Sequence, residues 1–302
     1  MAGEESKSTS SNSSGKLTRP GVVAELLRRR GLRPRKRFGQ NFLVDERILG
    51  KIVAAAELSP GDVVLEVGPG LGTLTGALAE RAGRVVAVEI DRDLIALLAE
   101  TVGRRPNVRL VEGDFLALPL DDLLPADCAA YKAVANLPYY ITSPVILKFL
   151  TGGRPWERLV FMVQREVAER LAARPGSKAY GSLSVFLQFH ATLEFVTRVP
   201  RTAFFPPPEV DSAVVVLDPR PAPLPPGPER EVFFRMVRAA FGQRRKTLAN
   251  ALAGGGFPEP AVAEALAASG LEGRRRGETL ALEELVALAR CLSAQILSSP
   301  GI

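Results

Sequence analysis

Five apolar runs, "DVVLEVGPG", "RVVAVEI", "NVRLVEGD", "YKAVANL" and "RLVFMV", follow one another between residues 60 and 165, rich in β-branched residues and without polar alternation. A strand with one wet face alternates; a strand covered on both faces does not, so these runs predict a parallel sheet buried between helices. The intervening text is helical in pattern: "GTLTGALAERAG", "DRDLIALLAETV" and "SPVILKFL", the last opening on Ser143 and Pro144 as a helix start does. Strand alternating with helix implies an α/β, doubly wound, Rossmann-like fold.

The rest of the chain is organised around this block. Residues 1–20 are rich in Ser, Thr, Asn and Gly and predict a disordered leader. "GVVAELLRRRGL" predicts a short helix whose polar face is arginine. "YGSLSVFLQFHATLEFVTRV" reads equally as helix or strand, and "VDSAVVVLD" as a further strand near a sheet edge, paired with the strand near "LEFVTRV". Six prolines between residues 219 and 228 make a stiff linker. Beyond it Phe233, Met236, Val237, Ala240 and Phe241 form one helical stripe, and two more helical patterns follow. The expected domains are therefore 21–220, Rossmann-like, and 221–302, small and all-helical; 302 residues with 46% hydrophobic content suffice for both cores.

Composition narrows the chemistry. No apolar run approaches the roughly 20 residues of a membrane span, and "MAGEESKSTSSNSSGK" lacks a signal-peptide core, so a soluble, cytoplasmic protein is expected. Cys128 and Cys291 have no thiol or histidine at ligand spacing, which argues against a disulfide framework or a zinc site. The single histidine, His190, lies in an apolar stretch and reads as structural. A net charge of +6 is concentrated in three clusters: Arg28, Arg29, Arg30, Arg33, Arg35, Lys36 and Arg37; Arg244, Arg245 and Lys246; Arg274, Arg275 and Arg276. Three such clusters favour a polyanionic partner.

The strand ends carry the chemistry. "EVGPGLG" sets Glu66, Gly68, Gly70 and Gly72 in the first strand-to-helix turn, where a ligand can lie against backbone. A dinucleotide would want G-x-G-x-x-G; here the pattern is G-x-G-x-G, and Pro69 removes a donor, so a cofactor without phosphates fits better. Glu89 ends the second strand, where a carboxylate can accept both ribose hydroxyls; Asp114 ends the third, where it can accept from an adenine amine. Together they outline a nucleoside pocket, and S-adenosyl-L-methionine is the nucleoside cofactor without phosphate. "NLPYY" at 136–140 ends the fourth strand in the same crevice. The Asn136 side-chain oxygen and a carbonyl of the Leu137–Pro138 turn can accept the two N6–H bonds of a target adenine, freeing its lone pair to attack a methyl group. Tyr139 is the ring expected on the base, with Tyr140 expected to pack.

"GQNFL", "EVGPGLGTLT", "VEID", "EGDFL", "ANLPYYITSPVI", "FPPPEVDSAVV" and "AFGQRRKTLANAL" together resemble the ribosomal RNA adenine N6,N6-dimethyltransferases of the KsgA/RsmA type, in the family's order from about residue 35 to the end. The resemblance implies a class I methyltransferase fold with a helical C-terminal domain. It implies dimethylation of two adjacent adenosines in the 3′-terminal hairpin loop of 16S rRNA by a monomer, within the small subunit or its precursor, with S-adenosyl-L-homocysteine as product. Carried over by motif, the cofactor contacts are Gln40, Asn41, Leu43, Gly68, Gly70, Glu89, Ile90, Asp114, Phe115 and Asn136, the 39–43 segment forming an N-terminal flap. Asn41 stands where many relatives have histidine. Arg35, Lys36, Arg37, Arg244, Arg245 and Lys246 are expected on RNA. The alternatives are a non-catalytic RNA-binding assembly factor that would have shed Asn136, Glu89 or the glycines, an enzyme of the related large-subunit rRNA family, and a DNA adenine methyltransferase, disfavoured by Leu137 in place of a second proline and by the lack of an inserted recognition region.

Overall fold

The computed structural model describes residues 17–35, 38–243 and 245–298. Its strands are β1 (Phe42–Leu43), β2 (Val63–Val67), β3 (Arg84–Glu89), β4 (Val108–Glu112), β5 (Tyr131–Asn136), β6 (Trp156–Gln164), β7 (Ala191–Val199), β8 (Phe204–Phe205) and β9 (Ser212–Pro219). Seven form one sheet in the order β4-β3-β2-β5-β6-β9-β7, while β1 and β8 make a separate antiparallel pair. The five predicted runs are β2 to β6, joined in parallel register. Every residue of β2 is buried, which is why that run shows no alternation.

The chain steps outward from β2 to β3 and β4, then returns to lay β5 on the other side of β2. That reversal is the topological switch point, and it opens a crevice at the carboxyl ends of β2 and β5. The glycine turn follows one of these strands and "NLPYY" the other.

The helices are α1 (Pro20–Arg29), α2 (Glu46–Ala55), α3 (Thr73–Ala79), α4 (Arg92–Thr101), α5 (Leu120–Leu123), α6 (Thr142–Thr151), α7 (Arg165–Leu171), α8 (Ser182–His190), α9 (Pro228–Gly242), α10 (Leu248–Gly254), α11 (Glu259–Ala268) and α12 (Leu282–Ser298). Local chemistry sets several starts. Asp45 caps α2 by accepting from the amides of Arg47 at 2.9 Å and Ile48 at 3.1 Å, and Asp91 caps α4 from Asp93 at 3.2 Å. The ambiguous stretch after residue 180 is both elements in turn: α8, then β7, which lies beside β9 at the sheet edge as the pairing expectation held.

The chain divides into two compact units, 1–142 with 154–164 and 196–216, and 143–153 with 165–195 and 217–302. The first contains a core between the sheet and α2 and α3, built on Ile52, Leu78, Val134 and Val214. The second is organised around Phe189, Phe233, Val237, Leu252, Leu285 and Leu292. The boundary expected at 220 lies within a few residues of the last division, at 216–217; the expectation did not include 143–153 and 165–195 in the second unit. Val185, Phe186 and Phe189 of α8 share a core with α9, and the Tyr180 hydroxyl donates to the Leu280 carbonyl at 3.0 Å. The prolines follow directly on that last division. The expected leader also ends early, since Leu17 and Thr18 are buried and α1 starts at Pro20; residues 1–16 lie outside those described. His190 is structural in its contacts: its Nδ1 is 2.8 Å from the Phe186 carbonyl, its ring stacks on Phe234, and burial lowers its pKa.

Candidate active site

Gly68 and Gly70 hold φ of 69° and 60°, a conformation that favours glycine. A Cβ at Gly68 would also come within 3.3 Å of the Pro138 ring, and one at Gly70 within 3.1 Å of the Phe42 ring. The turn is thus fitted closely between the end of β5 and the segment after α1. The Gly68 amide donates to the Val88 carbonyl at 2.9 Å, which ties the turn to β3. Glu89, at the end of β3, is 5% exposed and accepts from the Asp91 amide at 3.0 Å and the Gly70 amide at 3.3 Å. Burial raises its pKa, while these two amides pull the other way. Asp114 uses one oxygen to accept from the Leu116 amide at 2.9 Å, Phe115 is buried behind it, and Ile90 stands 41% exposed at the rim.

These residues line one cleft together with Gln40, Asn41, Leu43, Asn136, Leu137, Pro138, Tyr139 and Tyr140. Every cofactor and catalytic residue expected from the sequence is in it. Glu66 lines it too, a residue placed in the glycine motif without a role of its own. The described lining holds three carboxylates and no lysine, arginine or histidine. That set of acceptors suits a cationic nucleoside such as S-adenosyl-L-methionine and disfavours phosphates, whose negative charge it would repel.

The other side of the cleft is held by distant partners. Asn136 Nδ2 donates to the Asn41 carbonyl at 3.2 Å, so the amide nitrogen is engaged and Oδ1 is left as the acceptor. The Pro138 carbonyl accepts from the Ile141 amide at 3.2 Å and the Thr142 hydroxyl at 3.1 Å. Of the turn's two carbonyls, Leu137's is the one with capacity to spare. Tyr139 Oη and Ser212 Oγ are hydrogen-bonded at 2.6 Å, and burial raises the phenol's pKa. Ser212 belongs to "FPPPEVDS"; the motif was visible in sequence, but its contact with Tyr139 was not. Tyr140, expected to pack, is 52% exposed.

The flap is anchored at both ends. Phe42 and Leu43 pair with Phe205 and Phe204, and the Val44 amide donates to the Ala203 carbonyl at 2.8 Å. Gln40 donates to Asp91 at 2.8 Å and accepts from the Arg35 amide at 2.8 Å. The Asn41 side chain turns back to the Gly39 carbonyl at 3.1 Å, so its backbone makes the contact with Asn136.

Arg35, expected on RNA, pairs instead with Asp91 at 2.8 Å and with Asp93. Its charge fastens the flap to α4. Two of the three basic clusters are also largely engaged: Arg28 and Arg29 pair with Glu25, Arg30 with Glu100, Arg274 with Glu272 and Arg275 with Glu284. Arg245 and Lys246 are exposed; Lys36, Arg37 and Arg244 lie outside the described residues.

Comparison with known proteins agrees with this geometry. Residues 31–287 match the family model described as ribosomal RNA adenine dimethylase. A "Ribosomal RNA small subunit methyltransferase A" of Moorella thermoacetica is 51% identical over 280 residues, 90% of this chain and 97% of that protein. Its counterpart in Pelotomaculum thermopropionicum is 49% identical over 280 residues, 89% of this chain and 95% of that one. Among solved structures, the 23S rRNA methyltransferase ErmE aligns at a TM-score of 0.64 with 32% identity, covering 83% of this chain and 99% of its own. A dimethyladenosine transferase from Plasmodium falciparum aligns at 0.66 with 26% identity, covering 82% and 95%. With a class I methyltransferase sheet, a cleft suited to a cationic nucleoside and a match over most of its length, the chain belongs to the ribosomal RNA adenine dimethylase family.

Proposed function

We propose that the protein transfers methyl groups from S-adenosyl-L-methionine to N6 of two adjacent adenosines in the 3′-terminal hairpin loop of 16S rRNA, within the small ribosomal subunit or its precursor. It does so as a monomer in the cytoplasm, as a step of ribosome biogenesis. The observation that carries this reading is the orientation of Asn136, whose amide nitrogen is held by the Asn41 carbonyl so that its oxygen faces the work of an acceptor.

The bound donor supplies a methyl carbon made electrophilic by its sulfonium. Glu89 takes the ribose hydroxyls, Asp114 the adenine amine, and Gly68 and Gly70 let the ligand lie against backbone. The N6 amine of a target adenine is a poor nucleophile because its lone pair is delocalised into the ring. When Asn136 Oδ1 and the Leu137 carbonyl each accept one N6–H bond, the nitrogen pyramidalises and its lone pair is withdrawn from the ring's π system toward the methyl carbon; as the N–C bond forms the S–C bond breaks, leaving the thioether, and one N6 proton is lost to solvent. Acceptors already in place do this without reorganisation at the moment of reaction. Tyr139, its hydroxyl tied to Ser212, presents a ring face to the base.

A base must leave its stack to reach this cleft, which favours loop nucleotides, where unstacking costs least. The exposed Arg245 and Lys246 would meet phosphates, making binding salt-dependent. The small-subunit relatives support that substrate over the large-subunit one, being more similar than the 23S enzyme. Incubation with labelled donor and unmethylated small subunits tests the reading, with N6,N6-dimethyladenosine expected on nucleoside analysis. Binding without a modified nucleoside would indicate an assembly factor, and labelling of large subunits alone the related family.

A further inference from the structure

The mechanism above gives Glu66 nothing to do, yet no side chain in the cleft is in a more demanding position. It lies at the end of β2, is 1% exposed, and its Oε2 has no hydrogen-bond partner. A buried charge is costly unless it is paired and hydrogen-bonded. Among the described residues the charged groups of the same cleft are of the wrong sign to help, Glu89 from β3 and Asp114 from the turn after β4, and the phenols of Tyr139 and Tyr140 after β5 are neutral. Asp91 at the cap of α4 is already paired with Arg35, on the flap. The Thr75 hydroxyl on α3 is buried and lies near enough to favour the carboxylate, but it makes no hydrogen bond of good geometry. Burial pushes the Glu66 carboxyl up to about 8; the Thr75 hydroxyl pulls it down by less, and the negative charge of Glu89 adds to the rise.

We propose that Glu66 holds a proton in the free cleft and releases it to solvent when a positively charged methyl donor binds, so that the cleft grips the sulfonium donor more tightly than its thioether product. This rests on the methyl-donor reading given above. A positive charge brought into a dry cleft favours the ionised carboxylate, which then serves as its counter-charge. The product carries one positive charge less, so it draws out less of the proton and is held less firmly. Each substrate consumes several donors in succession, and easier product exit serves that exchange.

The sign is fixed by linkage. The group's pKa is higher in the free cleft than in the complex, so binding releases protons between those two values, and donor affinity rises with pH across that window. Affinity climbs by at most roughly tenfold per pH unit and levels off above about pH 8, where Glu66 is already ionised.

The test is titration calorimetry of the full-length protein with S-adenosyl-L-methionine and, separately, S-adenosyl-L-homocysteine, in buffers of different ionisation enthalpy. Near pH 7 the donor should release roughly half to one proton per site, the product less, and near pH 9 neither should release any. Glu66→Gln should bind with heats independent of buffer and with its donor-over-product preference reduced several-fold. Buffer-independent donor binding by the wild type near pH 7 overturns the proposal without touching the methyl-donor reading, and it does so whether or not the variant folds. Undiminished proton release by Glu66→Gln overturns it as well. A wild type that binds neither ligand overturns the methyl-donor reading and this proposal with it.

Discussion

The donor half of the cleft, from Gly68 to Phe115, is assembled from strand ends that succeed one another in the chain, whereas the acceptor half, from Asn136 to Tyr139, takes its shape from partners far off in sequence. Glu89 is held by amides 2 and 19 residues away. Asn136 is oriented by a carbonyl 95 residues away, and Tyr139 by a hydroxyl 73 residues away. A parallel sheet brings successive strand ends to one edge by its topology alone, which suffices to bind a nucleoside. Aiming a lone pair at a methyl carbon requires tighter placement, and this half recruits the flap and the "FPPPEVDS" segment to supply it.

Substitutions can break that division or sharpen it. The largest effect is expected from Asn136→Ala, which removes one of two fixed acceptors. By analogy with loss of one oxyanion-hole donor, single-turnover methyl transfer at saturating donor should fall by roughly 10²–10³, while equilibrium donor binding changes by no more than a few-fold. A matching loss of donor affinity would mean that the halves are not separate. Glu89→Ala should do the reverse, weakening donor binding by about 10–100-fold, as expected for lost hydrogen bonds to a charged group, with little effect on the rate once the donor saturates.

Ser212→Ala removes a single hydrogen bond to Tyr139 and should slow transfer by about fivefold, leaving donor affinity alone. Tyr139→Phe should resemble it, and combining the two should cost no more than the worse of them. The smallest effect is expected from Arg35→Ala. Donor dissociation should quicken a few-fold because Asp91 keeps only Gln40 as its tie to the flap region, but the salt dependence of RNA binding should stay as it was. A reduction of that slope by about one would instead restore Arg35 to the RNA contacts.

The sheet and the donor half were largely legible in the sequence because their signals are local. Apolar β-branched runs read as strands covered on both faces, which holds for β2 but not for the edge strand β4, none of whose residues is buried, and glycine or a carboxylate at a strand end carries its meaning within a few residues. The stretch after Tyr180 was not legible, because α8 gives way to β7 only where β9 is available as a neighbour. The ion pair of Arg35 was not legible for a similar reason: its partner Asp91 lies 56 residues on in the chain. Tyr140, expected to pack, is more than half exposed, with Gly39 beside one edge of its ring. The division near 220 was legible from the prolines, but the membership of 143–153 and 165–195 in the second unit was not, because it depends on which apolar faces meet across the chain.

The division of the cleft is tested most directly by a double-mutant cycle between Asn136→Ala and Glu89→Ala, read as kcat/KM for S-adenosyl-L-methionine with unmethylated small subunits as acceptor. If one half binds the donor and the other activates the amine, the two fold-losses multiply in the double variant. A double variant no slower than the more damaged single one would contradict it, and would mean that Asn136 and Glu89 act as one unit.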